Sequence, residues 1–251
     1  MQKITLWALL LIGAIACKPK PEPPSATNTS LVIGNPVNYG LDNVLLFPVG
    51  ANYNPAITKN ESLSTTSGNN LSTSEKEAFS QNYSDSKFDR NAKDEYINSN
   101  ENDFDIRNIL FYDKKTGQSR PLFKDTLHIL SFAIHREFAS PLIFFRIVKR
   151  DINEDKIYNS KDAVMLYVSK LDGTDFTQIT PDNEQFFDYF YYEDTETILI
   201  KTAIDIDKSK SFTTLDETNF REMKLNAPAM GREIFTQSLK DSLKNQLGVF
   251  Q

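Results

Sequence analysis

The stretch Leu166-Tyr167-Val168-Ser169-Lys170-Leu171-Asp172-Gly173-Thr174-Asp175-Phe176-Thr177-Gln178-Ile179-Thr180-Pro181 decides how this chain is read. Its first half is β-favouring and apolar. Asp172-Gly173 then supplies a turn, because Gly accepts positive φ without steric cost. A second short extended run follows and ends at Pro181, which cannot donate to a sheet ladder. That is a hairpin. Outward from it the same punctuation recurs, with Asp113-Lys-Lys-Thr-Gly117 as a second turn. Strands are expected at Leu31–Ile33 and 44–49, then at 108–112, 120–123, 128–134 and 142–149. Five more follow at 164–169, 176–180, 186–192, 197–202 and 219–225. Residues 230–247 change to helical spacing. Ile234, Phe235, Leu239, Leu243 and Leu247 fall mostly on one face, and Gly248 is a stop signal. That stripe predicts a helix capping the exposed end of a sheet.

The chain also repeats itself. Phe111-Tyr-Asp-Lys-Lys-Thr-Gly117 aligns with Tyr167-Val-Ser-Lys-Leu-Asp-Gly173, and LIFFRIVKRD from Leu142 aligns with ETILIKTAID from Glu196. The acidic segment after each strand recurs 54 residues on, Asp151 to Asp205 and Asp162 to Asp216. A period of this length with about four strands marks stacked small sheets. The Asp-Gly turn followed by the Ile-Thr-Pro step resembles the repeat of TolB-type β-propellers, with 108–123 as a weaker copy. The resemblance implies a mainly β chain of tandem small antiparallel sheets, an incomplete TolB-like propeller of two to three blade-like units. A closed ring takes at least about four blades. An open stack, closed by the helix and the N-terminal strands, is therefore expected. Fold alone implies no function.

Composition narrows the class. The chain has 251 residues, 39% hydrophobic and 12% aromatic, enough for a real core. Its net charge of −6 has the wrong sign for a nucleic-acid binder. One Cys excludes a disulfide framework and a cysteine-rich zinc module. That Cys closes a leader, in which Met1-Gln2-Lys3 precedes an apolar run from Ile4 to Ile15, too short to span a bilayer. Ala14-Ile15-Ala16-Cys17 resembles the lipobox of bacterial lipoproteins. The resemblance implies removal of residues 1–16 and lipidation of Cys17, so the membrane is a partner through the acyl chains. Lys18 after the Cys, by the same analogy, favours the outer membrane of the cell envelope.

Residues 17–30 read as the lipidated Cys and a Pro-rich tether, extended by its four prolines. Residues 31–103 read as N-terminal strands with a long polar insertion at 52–102, containing a short helix near 74–82. Its role is open between a recognition loop and tolerated low-complexity sequence. Residues 104–229 are the blade-like β-repeat domain, and 230–251 the C-terminal amphipathic helix.

The chemistry concentrates in one segment. Asp151, Asn153, Asp155, Asn159 and Asp162 place side-chain oxygens at positions 1, 3, 5, 9 and 12 of a loop, with the Ile157 carbonyl at position 7. This resembles an EF-hand or dockerin-type calcium loop, which implies a structural calcium ion. Lys156 stands where Gly normally makes the sharp turn, and Asp162 replaces the longer Glu. The alternative is a solvated acidic turn. The second copy keeps Asp205, Asp207 and Asp216 with Ser209 at position 5, and two lysines inside predict a decayed site.

Catalytic signals are thin. His128 and His135 are the only histidines, and no zinc, nucleophile-elbow or phosphate-loop motif is present. The aromatic run 186–192 reads as sheet core, with sugar or peptide stacking as its alternative. Together these readings predict a non-enzymatic binding or structural lipoprotein that engages another envelope protein or a surface ligand. The competing expectation is an envelope hydrolase or carbohydrate-binding accessory, using the aromatic run or acids such as Glu193 and Asp194.

Overall fold

A computed structural model describes residues 30–38, 40–41, 43–52, 95–97, 104–213 and 216–248. The first sheet is a meander of β1 (Leu31–Ile33), β2 (Val44–Asn52), β4 (Phe104–Asp113) and β5 (Ser119–Pro121). The second runs β6 (His128–His135), β7 (Leu142–Val148), β8 (Val164–Lys170) and β9 (Thr177–Gln178), with β3 (Glu95–Ile97) added along β6. The third is β10 (Glu184–Tyr192), β11 (Thr197–Ile204), β12 (Glu217–Lys224) and β13 (Arg232–Glu233). Neighbouring strands pair antiparallel throughout. The described chain is thus mainly β, built as three copies of one four-stranded meander, plus the helix α1 (Gln237–Leu247).

Side-chain alternation explains how the copies stack. On β7, Ile143, Phe145 and Ile147 join a core shared with Leu46, Ile109 and Phe111 of the first sheet. Leu142 and Phe144 point the other way, into a core shared with Ile198, Ile200 and Met223 of the third. The middle sheet is therefore buried on both faces, and β7 reads as one unbroken apolar run because neither face meets water. β8 divides likewise, Met165 and Tyr167 to one core, Leu166 and Val168 to the other. Phe144 and Phe145 are fully buried, and truncating either to Ala costs about 3–5 kcal/mol.

The turn at the hairpin of β8 and β9 forms as its sequence predicts. Gly173 has φ 77°, and a Cβ there would sit 2.6 Å from the Phe111 ring. Glycine is required twice over, for conformation and for close approach between the first two sheets. Thr180, of the Ile-Thr-Pro step, is fully buried, and its hydroxyl accepts the Leu166 N–H at 2.8 Å. That step ties the hairpin end back across β8.

The structure corrects two expectations. The helix begins at Gln237, not 230, because residues before it form β13 and the Thr236 cap, whose hydroxyl accepts the Leu239 N–H. Nor does its leucine stripe cap a sheet, since Leu239, Leu243 and Leu247 are exposed. The helix docks instead by Lys240, 2.6 Å from Glu233 and 3.4 Å from Glu217, and by Lys244 to Glu217. Two carboxylates line the docking surface, so the lysine face complements it and the leucine face does not. Within the polar insertion the strand β3 pairs with β6, and the first sheet runs across the 103/104 boundary read from the sequence. The leader, Cys17, most of the tether and the helix expected near 74–82 lie outside the described residues.

Candidate metal centre

The two acidic loops occupy equivalent places in adjacent sheets, 151–162 between β7 and β8 and 205–216 between β11 and β12. Each is held by its own carboxylates. In the first, Asp151 accepts the N–H groups of Asp155 at 3.1 Å and Lys156 at 2.7 Å, and Asn153 accepts Asp155 N–H at 3.0 Å. Asp162 closes the loop by accepting Ile152 N–H at 2.8 Å and Asn159 N–H at 3.1 Å. The second loop repeats these contacts position for position. Asp205 accepts Ser209 N–H at 3.1 Å and Lys210 N–H at 3.0 Å, and Asp207 accepts Ser209 N–H at 2.9 Å. Asp216 accepts Ile206 N–H at 3.2 Å and Thr213 N–H at 2.7 Å.

The backbones match as well. Positions 4 and 6 are left-handed in both loops, at Glu154 (φ 62°) and Lys156 (φ 68°), then Lys208 (φ 57°) and Lys210 (φ 61°). Lysine at position 6 thus does not prevent the sharp turn. Each such residue costs about 1–2 kcal/mol, which the side-chain-to-backbone bonds offset.

The side-chain oxygens gathered by the two loops differ. In the second loop, carboxylate oxygens of Asp205, Asp207 and Asp216 lie within 4.8 Å of one another. The Ser209 hydroxyl is 3.0 Å from the Ser211 carbonyl, so oxygens at positions 5 and 7 are also adjacent. In the first loop Asn153 supplies a neutral amide where the second has Asp207, and its Nδ2 donates to Asp155 Oδ2 at 3.1 Å. The Ile157 N–H donates to Asp155 Oδ1 at 2.8 Å, and Asn159 Oδ1 accepts Lys161 N–H at 2.8 Å. Hard oxygens at this spacing suit a cation of the calcium type, which takes about 6–8 of them at 2.3–2.6 Å.

Electrostatics adds to this. Asp162 is fully buried, and burial pushes its carboxyl above the ordinary value against the N–H donors, with the Asp151 charge raising it further. A buried carboxylate beside another favours an added positive charge, whether proton or metal. Between the loops, the Lys210 ammonium donates to Glu154, so position 6 of one loop is tied to position 4 of the other. That hydrogen bond and the lysine charge hold the Glu154 carboxyl below its usual range. Sequence spacing alone did not reveal this adjacency.

The remaining singled-out residues fall elsewhere. The His128 Nδ1–H donates to the Asp105 carboxylate at 2.7 Å, and the ring stacks on Tyr158 with centroids 3.6 Å apart. His135 meets Glu137 at 2.6 Å and the Tyr189 hydroxyl at 3.3 Å. Each histidine thus joins different parts of the fold. Glu193 and Asp194 lie exposed on a single 3-10 turn. The run 186–192 divides: Tyr189 and Tyr191 pack on the second core, whereas Phe190 and Tyr192 are exposed on the opposite face. Sequence reading missed the pairing of buried Glu184 with half-buried Arg221, joined by two hydrogen bonds, with Thr202 donating to the same carboxylate at 2.6 Å. No local motif announces a pair 37 residues apart.

Among the described residues no helix is long and apolar enough to cross a membrane. No family model, no curated protein and no solved structure matches this chain.

Proposed function

We propose that this chain is a non-enzymatic, lipid-anchored module of the cell envelope, with propeller-type blades and acidic loops that take up calcium as a structural ion. The observation that carries the calcium reading is the repetition of one loop architecture at two places 54 residues apart. Each copy has its carboxylates at positions 1 and 12 turned onto the same backbone N–H groups, with left-handed residues at positions 4 and 6. Strained backbone held in the same form twice supports a functional reading. A cation would also relieve the burial of Asp162. The three stacked four-stranded meanders support the blade reading.

Calcium stabilises the fold by mass action, about 2.7 kcal/mol when its free concentration is 100-fold above the dissociation constant. Thermal melting with calcium and with chelator tests it: the midpoint rises with calcium, and Asp155→Ala reduces the rise. An unchanged midpoint in the unaltered chain ends the proposal. Lipid anchoring through Cys17 places the module on the membrane, with the outer membrane as its site and another envelope protein or surface ligand as its partner. Cys17→Ala abolishes incorporation of labelled lipid if the anchor is real. Crosslinking on intact cells captures the partner.

A further inference from the structure

The exposed large apolar side chains are distributed unevenly over the stack. Leu31 and Ile33, 70% and 56% exposed, belong to the first sheet, and Phe190 and Tyr192, 45% and 48% exposed, to the third. None of the described residues of the middle sheet joins them. Alternation fixes their direction. Val32 packs on the first core, so Leu31 and Ile33 point away from it. Tyr189 and Tyr191 pack on the second core, so Phe190 and Tyr192 point outward, where Phe190, Phe220 and Phe235 form a row with centroids 6.1 and 6.4 Å apart. Antiparallel sheets that face water are normally polar on that side. The third sheet's outer face is so only in part: the register sets Phe190 beside Leu199 and Glu222, Tyr192 beside Thr197 and Lys224, and Phe220 beside Lys201 and Asp188, so the aromatic row interrupts a charged face.

We propose that the two outer faces pack on each other between two copies of this chain, the first sheet of one against the third sheet of its partner. An array of stacked repeats needs caps at its ends, and here the two end faces carry exposed apolar side chains, Leu31 and Ile33 on one and Phe190 and Tyr192 on the other. A sheet face accepts another at about 10 Å by the packing this molecule already uses twice. The area is sufficient. Four strands about 4.8 Å apart and about seven residues long give a footprint of roughly 450 Å² per face. One contact therefore buries on the order of 1,000 Å², near the lower limit for a specific interface. The outer faces are different surfaces, so the contact is heterologous. Two copies related by a two-fold axis make it twice, which doubles the area and leaves no face uncovered. Six sheets also fall within the range of about 4–8 found in closed sheet rings.

Sedimentation equilibrium of the full chain, in mild detergent with and without calcium, tests this. The expected result is a species of twice the 28.6 kDa chain mass. Ile33→Asp and Phe190→Asp, one on each face, each weaken association at least about tenfold. Both positions are exposed, and circular dichroism of each variant checks that the sheets persist. Leu243→Asp, on the exposed helix stripe, leaves association unchanged. Disulfide trapping then reads the geometry: a chain carrying Ile33→Cys and Cys17→Ser couples to one carrying Phe190→Cys and Cys17→Ser in preference to its own kind. A monomer throughout the micromolar range, loss of association in Leu243→Asp alone, or trapping only between like faces each overturns the proposal. Because the readout is mass and crosslink pattern, its failure leaves the calcium reading standing, and an absent calcium shift leaves this one standing.

Discussion

The loops 151–162 and 205–216 share a backbone and differ in chemistry. Both use their first and last carboxylates to hold the same N–H groups. Yet the loop with the richer sequence pattern carries the neutral Asn153 at position 3, while the loop with lysines at both positions 4 and 6 gathers three carboxylates within 4.8 Å. Loop conformation and the charge a loop gathers are thus separable: backbone bonding keeps the first, and single side chains set the second. Lysines at left-handed positions point out of such a loop, and one of them, Lys210, reaches the neighbouring loop instead.

The largest contrast is expected at the closing carboxylate. Asp162→Ala leaves the half-buried N–H groups of Ile152 and Asn159 without their buried acceptor and costs about 2–4 kcal/mol. Asp216→Ala costs less, about 1–3 kcal/mol, because its side chain is slightly more accessible and its bond to Ile206 is longer. Urea midpoints of the two variants measure the order, and a reversed order would show that the loops are not held alike. Next comes ligand charge. Asn153→Asp makes the first loop resemble the second and tightens calcium there by on the order of tenfold, about 1.4 kcal/mol by titration calorimetry. Unaltered affinity would mean that position 3 does not face the ion.

Smaller still is the strain at position 6. Lys156→Gly stabilises by about 1 kcal/mol, since glycine adopts the 68° φ freely. Lys210→Gly gains less, because it also gives up the contact with Glu154. Equal gains in chemical denaturation would argue against the bridge. The smallest effect is that bridge itself, which is exposed and screened by salt. Glu154 is held below its ordinary value of 4.5 by the hydrogen bond and charge of Lys210. Its contribution is therefore present above that value and is lost as pH falls through the lower folded one. Lys210→Met should flatten the melting temperature profile slightly between about pH 5 and 3; an unchanged profile shows that the pair contributes nothing.

A second contrast concerns the sheets. Their strands were legible because each depends on neighbours in the chain: the aromatic run of β10, continuous apolarity in β7, glycine at the turns ending in Gly117 and Gly173. The loop side chains that hold the backbone N–H groups were legible for the same reason, as residues of one short segment. The helix face was not. Leu239, Leu243 and Leu247 have the spacing of a core stripe, but Glu217 and Glu233 reward the lysines beside them. β3 was hidden within a polar stretch whose strand pairs with β6, and the Glu184–Arg221 pair had no local signature.

What the chain's own order determined is therefore everything set by short-range covalent geometry and periodicity: the meanders, their repetition, the tight turns and the side chains at each loop position. The tertiary structure alone decided which faces were buried, which way the helix turned, and that two loops 54 residues apart lie close enough for Lys210 to hold Glu154. The reason is physical. Periodicity shows that a side chain has an apolar face to hide, but the charges and surfaces brought against it from distant parts of the chain decide whether it is hidden.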